Sequence, residues 1–150
     1  MSQTRYYVAS RASIPERSEM WRRLRREGWQ ITSSWIYEAG EGETADFEEL
    51  WLRIEREISH SDALLLYAEN GDFPLKGALV EVGIALGMGK PVLICVPDVK
   101  LAGRSMRPIG SWIAHPLVNR IPSLGDAPQN TDMLIARFPG LQSLPPKEQG

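Results

Sequence analysis

Cysteine is almost missing from this chain: Cys95 stands alone among 150 residues. One thiol allows no internal disulfide, no paired-thiol metal site and no redox couple, so a reducing compartment, the cytoplasm, is expected. Histidine is nearly as scarce. His60 and His115 are too isolated in the sequence to suggest a metal site or a Ser-His-Asp arrangement, and no metal or other cofactor is expected. No apolar run approaches the roughly 18 residues that a membrane span needs. The start, MSQTRYYVAS, has no long apolar stretch followed by a cleavage site, so neither export nor insertion is expected. An excess of positive charge is missing too. With 17 basic and 19 acidic residues the formal net charge is -2, which leaves no overall field to hold a nucleic-acid backbone, and no nucleic acid polymer is expected as a partner. The arginines Arg22, Arg23, Arg25 and Arg26 are interleaved with Glu19 and Glu27, as on a solvated helix face.

What remains is 43% apolar and 24% charged, the make-up of one compact domain able to bury about two-thirds of its unfolded surface. Short apolar runs alternate with helical patterns, the signature of an α/β domain with a mainly parallel sheet. Strands are expected at residues 6–9, 29–32, 63–67, 91–96 and 118–121. A helix is expected over 15–27, with Pro15 in its first turn and Gly28 as a left-handed cap. A second should follow Thr44 as N-cap, burying Phe47, Leu50, Trp51, Ile54 and Ile58 along one face. The loop between, 38–43, has the make-up of a mobile lid. A last helix is expected over 131–138, before a polar, proline-bearing tail. The domain is expected to span 1–124 and a C-terminal extension 125–150.

The segment KGALVEVGIALGMGKPV carries the chemistry. Glu81 is its only charged residue between Lys76 and Lys90, and its neighbours three and four positions away are Gly77, Ala78, Ile84 and Ala85. A carboxylate on so apolar a helix must reach water in a cleft, bond to donors, or be protonated, because burying it unpaired costs several kcal/mol. Either it is a reactive group or it is a structural acid holding a neighbouring loop. Gly77 lets another group approach the backbone at the helix start.

YYVASR at the first strand, ITSSW at the second, SDALLLYAE at the third, and GALVEVGIALGMGKPV resemble the nucleoside 2-deoxyribosyltransferase superfamily, which includes the deoxynucleoside 5'-monophosphate N-glycosidases. The resemblance runs over about residues 6–124. It implies a flavodoxin-like, Rossmann-like three-layer domain of about five strands. It also implies a small-molecule deoxynucleoside or deoxynucleotide as substrate and Glu81 as the nucleophile that traps the sugar, with water or a second base as acceptor. Because the family's pockets are completed across an interface, it implies a homodimer or higher homo-oligomer.

By the same resemblance Tyr7 orients the nucleophile, unless it simply packs as a strand residue. Ser10 and Arg11 fall where relatives contact sugar or phosphate, with a plain surface charge the other reading for Arg11. Trp35 either stacks on a base or belongs to the core. The family's auxiliary aspartate lies eight residues before the third-strand aspartate, and Ile54 occupies that position here. Glu55 is the stand-in for the proton donor, and Glu57 is close by. Asp62 is either a cap at the strand start or a substrate ligand. Leu75 occupies the position six before Glu81 where relatives carry an acid or a serine, and Asp72 or Lys76 would have to substitute, Lys76 as a phosphate contact.

Overall fold

The computed structural model describes residues 3–38 and 46–138. Five strands, β1 (Arg5–Ala9), β2 (Gln30–Ile31), β3 (Ala63–Tyr67), β4 (Val92–Cys95) and β5 (Val118–Ile121), form one all-parallel sheet in the order β2-β1-β3-β4-β5. This is the flavodoxin-like order of doubly wound sheets, whose crevice opens where strand order reverses, between β1 and β3. Strands β3 and β4 are buried along nearly their whole length, as parallel strands covered on both faces require.

The helices are α1 (Pro15–Arg26), α2 (Phe47–Ser59), α3 (Gly77–Gly87) and α4 (Ala127–Arg137). Alternation along β1 assigns them to faces, since successive side chains of a strand point in opposite directions. Tyr6 shares a 3.2 Å hydrogen bond with Thr131 of α4, and the next residue, Tyr7, reaches Glu81 of α3 on the other side. Helix α4 starts inside the segment expected as an extension and places Ala127 and Leu134 in the core.

Helix α1 begins at Pro15, as expected, and Gly28 follows it with φ +110°, a conformation that favours glycine. Helix α2 is capped by Asp46, whose carboxylate accepts from the N–H groups of Glu48 and Glu49. Thr44, expected as that cap, and most of the expected lid lie outside the described residues, as does the tail. Strand β2 is shorter than expected. Beyond Ile31 its partner β1 is completed by side chains: the Ser33 hydroxyl accepts from Val8 N–H at 2.7 Å, and the Trp35 indole donates to Val8 C=O at 2.7 Å. Among the described residues no helix is long and apolar enough to cross a membrane.

Candidate active site

Glu81 lies one turn into α3 and is 8% exposed. The Tyr7 hydroxyl donates to its Oε1 at 2.5 Å. No arginine or lysine pairs with it among the described residues. Its other oxygen, Oε2, has no hydrogen-bond partner among them and lies beside Gly77, 3.8 Å from where a Cβ on that glycine would sit. The same Cβ would stand 3.6 Å from the Trp51 ring of α2. A side chain at position 77 would touch both the Trp51 ring and the free carboxylate oxygen, and glycine leaves that space unfilled.

Burial pushes the Glu81 carboxyl up to about 8 from its ordinary 4.5. The bond from Tyr7 acts against this and the charge of Glu57 adds to it. Burial and the neighbouring Glu81 carboxylate hold the Tyr7 phenol well above its usual range, so it stays a donor. A phenol donating to one oxygen fixes the carboxyl's orientation and leaves the second free to react.

Helix α3 starts under strain. Lys76, just before Gly77, has φ 53° and ψ -115°, a conformation side chains rarely adopt and one that tends to persist where surrounding structure enforces it. A buried ion pair lies four residues ahead of it in the chain. Arg17 of α1 donates to both oxygens of Asp72, at 2.6 and 2.9 Å, and Asp72 is 3% exposed. Asp72 also accepts from Glu69 N–H at 3.0 Å, the Arg17 guanidinium lies 5.5 Å over the Tyr67 ring, and the Tyr67 hydroxyl bonds Glu69. Burial would raise the Asp72 carboxyl, but these bonds outweigh it and hold it below its usual value.

Tyr7, Glu81 and Gly77 are thus brought together as expected, and the remaining expected site residues fare differently. Ser10 is buried with its hydroxyl donating to Tyr67 C=O at 2.7 Å and accepting from the Trp21 indole at 2.9 Å, so it joins β1, β3 and α1 and is left little capacity for a substrate. Arg11 is half-buried at the end of β1 and donates to Asp72 C=O and Ser13. Trp35 is a core residue with its indole spent on Val8. Asp62 lies at the N-terminal edge of the sheet, where it takes the Arg5 N–H at 2.8 Å and the Arg5 guanidinium at 3.2 Å, the cap reading. Asp72 is consumed by Arg17 and cannot substitute for a missing acid. Lys76 is exposed at the start of α3.

Glu55 faces solvent on α2, because Ile54 and Ile58 set the buried face. Two residues on, Glu57 is half-buried, accepts from Ser34 N–H at 3.0 Å, and its charge acts on both Tyr7 and Glu81. Phe47, expected in the buried face, is 68% exposed. It sits in the first turn of α2, one turn before Trp51 on the same face. Trp51 is the site neighbour that sequence reasoning missed, and Glu57 was named there only as lying close to Glu55. Trp51 was visible only as a member of an apolar helix face. Among the described residues no group of three or more His, Cys, Asp or Glu is gathered as metal ligands would be.

No family model matches the chain, and no curated protein matches it. Among solved structures it is similar to the CMP N-glycosidase BcmB of Clostridium botulinum, at 17% identity and a TM-score of 0.49, over 85% of this chain and 98% of that one.

Proposed function

We propose that this protein cleaves or exchanges the N-glycosidic bond of 2'-deoxynucleosides or their 5'-monophosphates through a covalent deoxyribosyl-Glu81 intermediate. One observation carries the reading: Glu81 is buried, oriented through Oε1 by Tyr7, with no cationic partner among the described residues and its Oε2 beside Gly77 without a hydrogen-bond partner among them. The resemblance of the strand and helix motifs to the nucleoside 2-deoxyribosyltransferase superfamily supports the same assignment.

In the first step Glu81, having given up its proton to solvent, bonds C1' through Oε2 as the C1'–N bond breaks, and the electron pair leaves with the base, which takes a proton from the general acid or from water. In the second, water or another base attacks C1' and the carboxylate leaves, so two displacements retain the anomeric configuration. Positive charge developing on the sugar in a buried site favours the ionised carboxylate, which lowers the cost of removing the Glu81 proton at the moment it must act. A 2-deoxy sugar suits a single carboxylate, since it lacks the electron-withdrawing 2'-hydroxyl. Trp51 and the exposed Phe47 offer aromatic faces for the base. Glu57, the acid whose charge bears on both Glu81 and Tyr7, replaces Glu55 as the candidate proton donor to the leaving base.

A second reading is favoured by the raised carboxyl of Glu81, which is largely protonated at neutral pH: a binding module in which a neutral acid and Tyr7 hold a nucleotide without turnover. Incubation with a panel of deoxynucleosides and monophosphates, with and without a free acceptor base, separates the two. Base release together with a mass adduct of one deoxyribose on the Glu81 peptide supports the enzyme. Retained ligand affinity in Glu81→Gln, with no release by wild type, supports the binding module.

A further inference from the structure

Arg53 and Glu57 stand one turn apart on α2, a cation and an acid at a spacing that ordinarily allows an ion pair. Among the described residues they do not pair. Arg53, its side chain 18% exposed, donates to Glu38 at 2.8 Å, to Glu49 at 3.1 Å and to the Ser34 hydroxyl at 2.5 Å. Glu57 accepts through Oε1 from Ser34 N–H at 3.0 Å, and its Oε2 accepts no hydrogen bond among the described residues. Ser34 thus bonds both charges, giving its N–H to the acid and its hydroxyl oxygen to the cation.

The segment that carries Ser34 is fastened on several sides. Thr32 N–H donates to Tyr6 C=O at 2.8 Å and the Thr32 hydroxyl donates to Glu57 C=O at 3.1 Å. Ser33 and Trp35, on either side of Ser34, bond the N–H and C=O of Val8, and Arg22 of α1 donates to Ile36 C=O at 2.7 Å. Tyr7, between Tyr6 and Val8, is the residue that reaches Glu81. The charges meet at the same place: Glu57 acts on both Tyr7 and Glu81, and Arg53 acts on Tyr7 with the opposite sign. The groups bearing on Glu81 are the Tyr7 phenol from β1 and Glu57 from α2, while Glu57 has Ser34 from the 32–38 segment and Arg53 on its own helix, the latter shared with Glu38 and Glu49.

We propose that Ser34 is a positioning residue: its N–H fixes Glu57 by one oxygen, and its hydroxyl draws Arg53 aside and so keeps Glu57 out of an ion pair with its helix neighbour. Only the consequence rests on the glycosidase reading, namely a Glu57 able to hand a proton to the leaving base. An arginine seated on Glu57 would oppose that in two ways. It favours the ionised carboxylate, which has no proton to give, and a forked contact would occupy both oxygens. Without the Ser34 hydroxyl, Arg53 loses the bond that holds it off, and the spacing on α2 then brings it to Glu57.

Ser34→Ala removes the hydroxyl without changing any charge, and Ser34→Thr keeps one. Carboxyl NMR on the full chain labelled with carbon-13 glutamate, the Glu81 signal assigned through Glu81→Gln, reads the Glu81 titration with no substrate present, and far-UV circular dichroism confirms that each variant is folded. Wild-type Glu81 should titrate at about 8, held up in part by the charge of Glu57. In Ser34→Ala it should titrate lower, in the direction of Glu57→Gln and no further, because Arg53 then offsets Glu57; Ser34→Thr should stay with wild type. On a Glu57→Gln background Ser34→Ala should add nothing, and the same holds on Arg53→Gln, where no cation is left to move. In turnover Ser34→Ala should lower kcat about 10-fold with KM little changed. A Glu81 titration that stays put or rises in Ser34→Ala overturns the proposal, as does a shift that survives on either background, since simple loosening of the segment would act there too. A lowered titration with no base released from any deoxynucleoside keeps the positioning and removes the glycosidase reading; base release with an unmoved titration does the reverse.

Discussion

The raised carboxyl of Glu81 makes a stability prediction that needs no knowledge of the substrate. An acid whose pKa rises on folding binds more protons in the native state than in the unfolded one, so stability falls as pH climbs from the unfolded value to the folded one. For Glu81 that window runs from 4.5 to about 8. Within it each pH unit costs about 1.4 kcal/mol, so wild type at about pH 7 carries a penalty of roughly 3 kcal/mol, reaching about 5 kcal/mol above pH 8. Glu81→Gln keeps the side chain's shape and its acceptor for Tyr7 but does not titrate. Its stability relative to wild type should therefore grow by about 3 kcal/mol between about pH 4 and pH 7, and by roughly 1 to 2 more by pH 9. Urea unfolding of both proteins across that range reads the difference directly, because the other titrating groups largely cancel between them. A difference independent of pH, or one shrinking as pH rises, would refute the claim that burial without a cationic partner dominates this site.

Tyr7→Phe removes the one bond that lowers the Glu81 carboxyl, so the alkaline-rising limb of kcat/KM should move above about 8; an unmoved limb would deny Tyr7 its orienting role. Glu57→Gln should shift that limb towards lower pH, since the Glu57 charge holds the carboxyl up; a shift upward or none would contradict this. Gly77→Ala should be neutral or stabilising by up to about 1 kcal/mol in thermal unfolding while lowering turnover, because the added methyl fits against Trp51 but fills the space beside Oε2. Arg17→Ala strands Asp72 at 3% exposure and should cost about 3 to 5 kcal/mol of unfolding free energy; a loss under about 1 kcal/mol would show that Asp72 finds other partners or water when Arg17 is gone.

The paired elements of the fold were legible because their signals are local. Continuous apolar runs marked β3 and β4 as doubly covered strands, and Pro15 and Gly28 bracketed α1. Glu81 was legible too, since a lone acid on a helix of glycine, alanine and aliphatic residues has no polar face to occupy. Its pairing with Tyr7 was expected from the family resemblance, and strand alternation explains why Tyr7 and not Tyr6 makes it.

Groups whose roles depend on distant partners were not legible in the same way. Ser10 and Asp62 have the right chemistry for a ligand, but Trp21, Tyr67 and Arg5 take up their bonding capacity, and those partners lie 11 to 57 residues away. Helical periodicity correctly made Ile54 and Ile58 the buried face of α2, yet it could not say which flank looks at α3 and which at the 33–38 segment. That rotation made Trp51 and Glu57 neighbours of the site and left Glu55 in solvent. The sequence by itself thus determined the kinds of element and the one residue that needed explaining, because period and burial are properties of a segment. The tertiary structure alone decided which donors and charges surround that residue, because those are set by how separate segments pack.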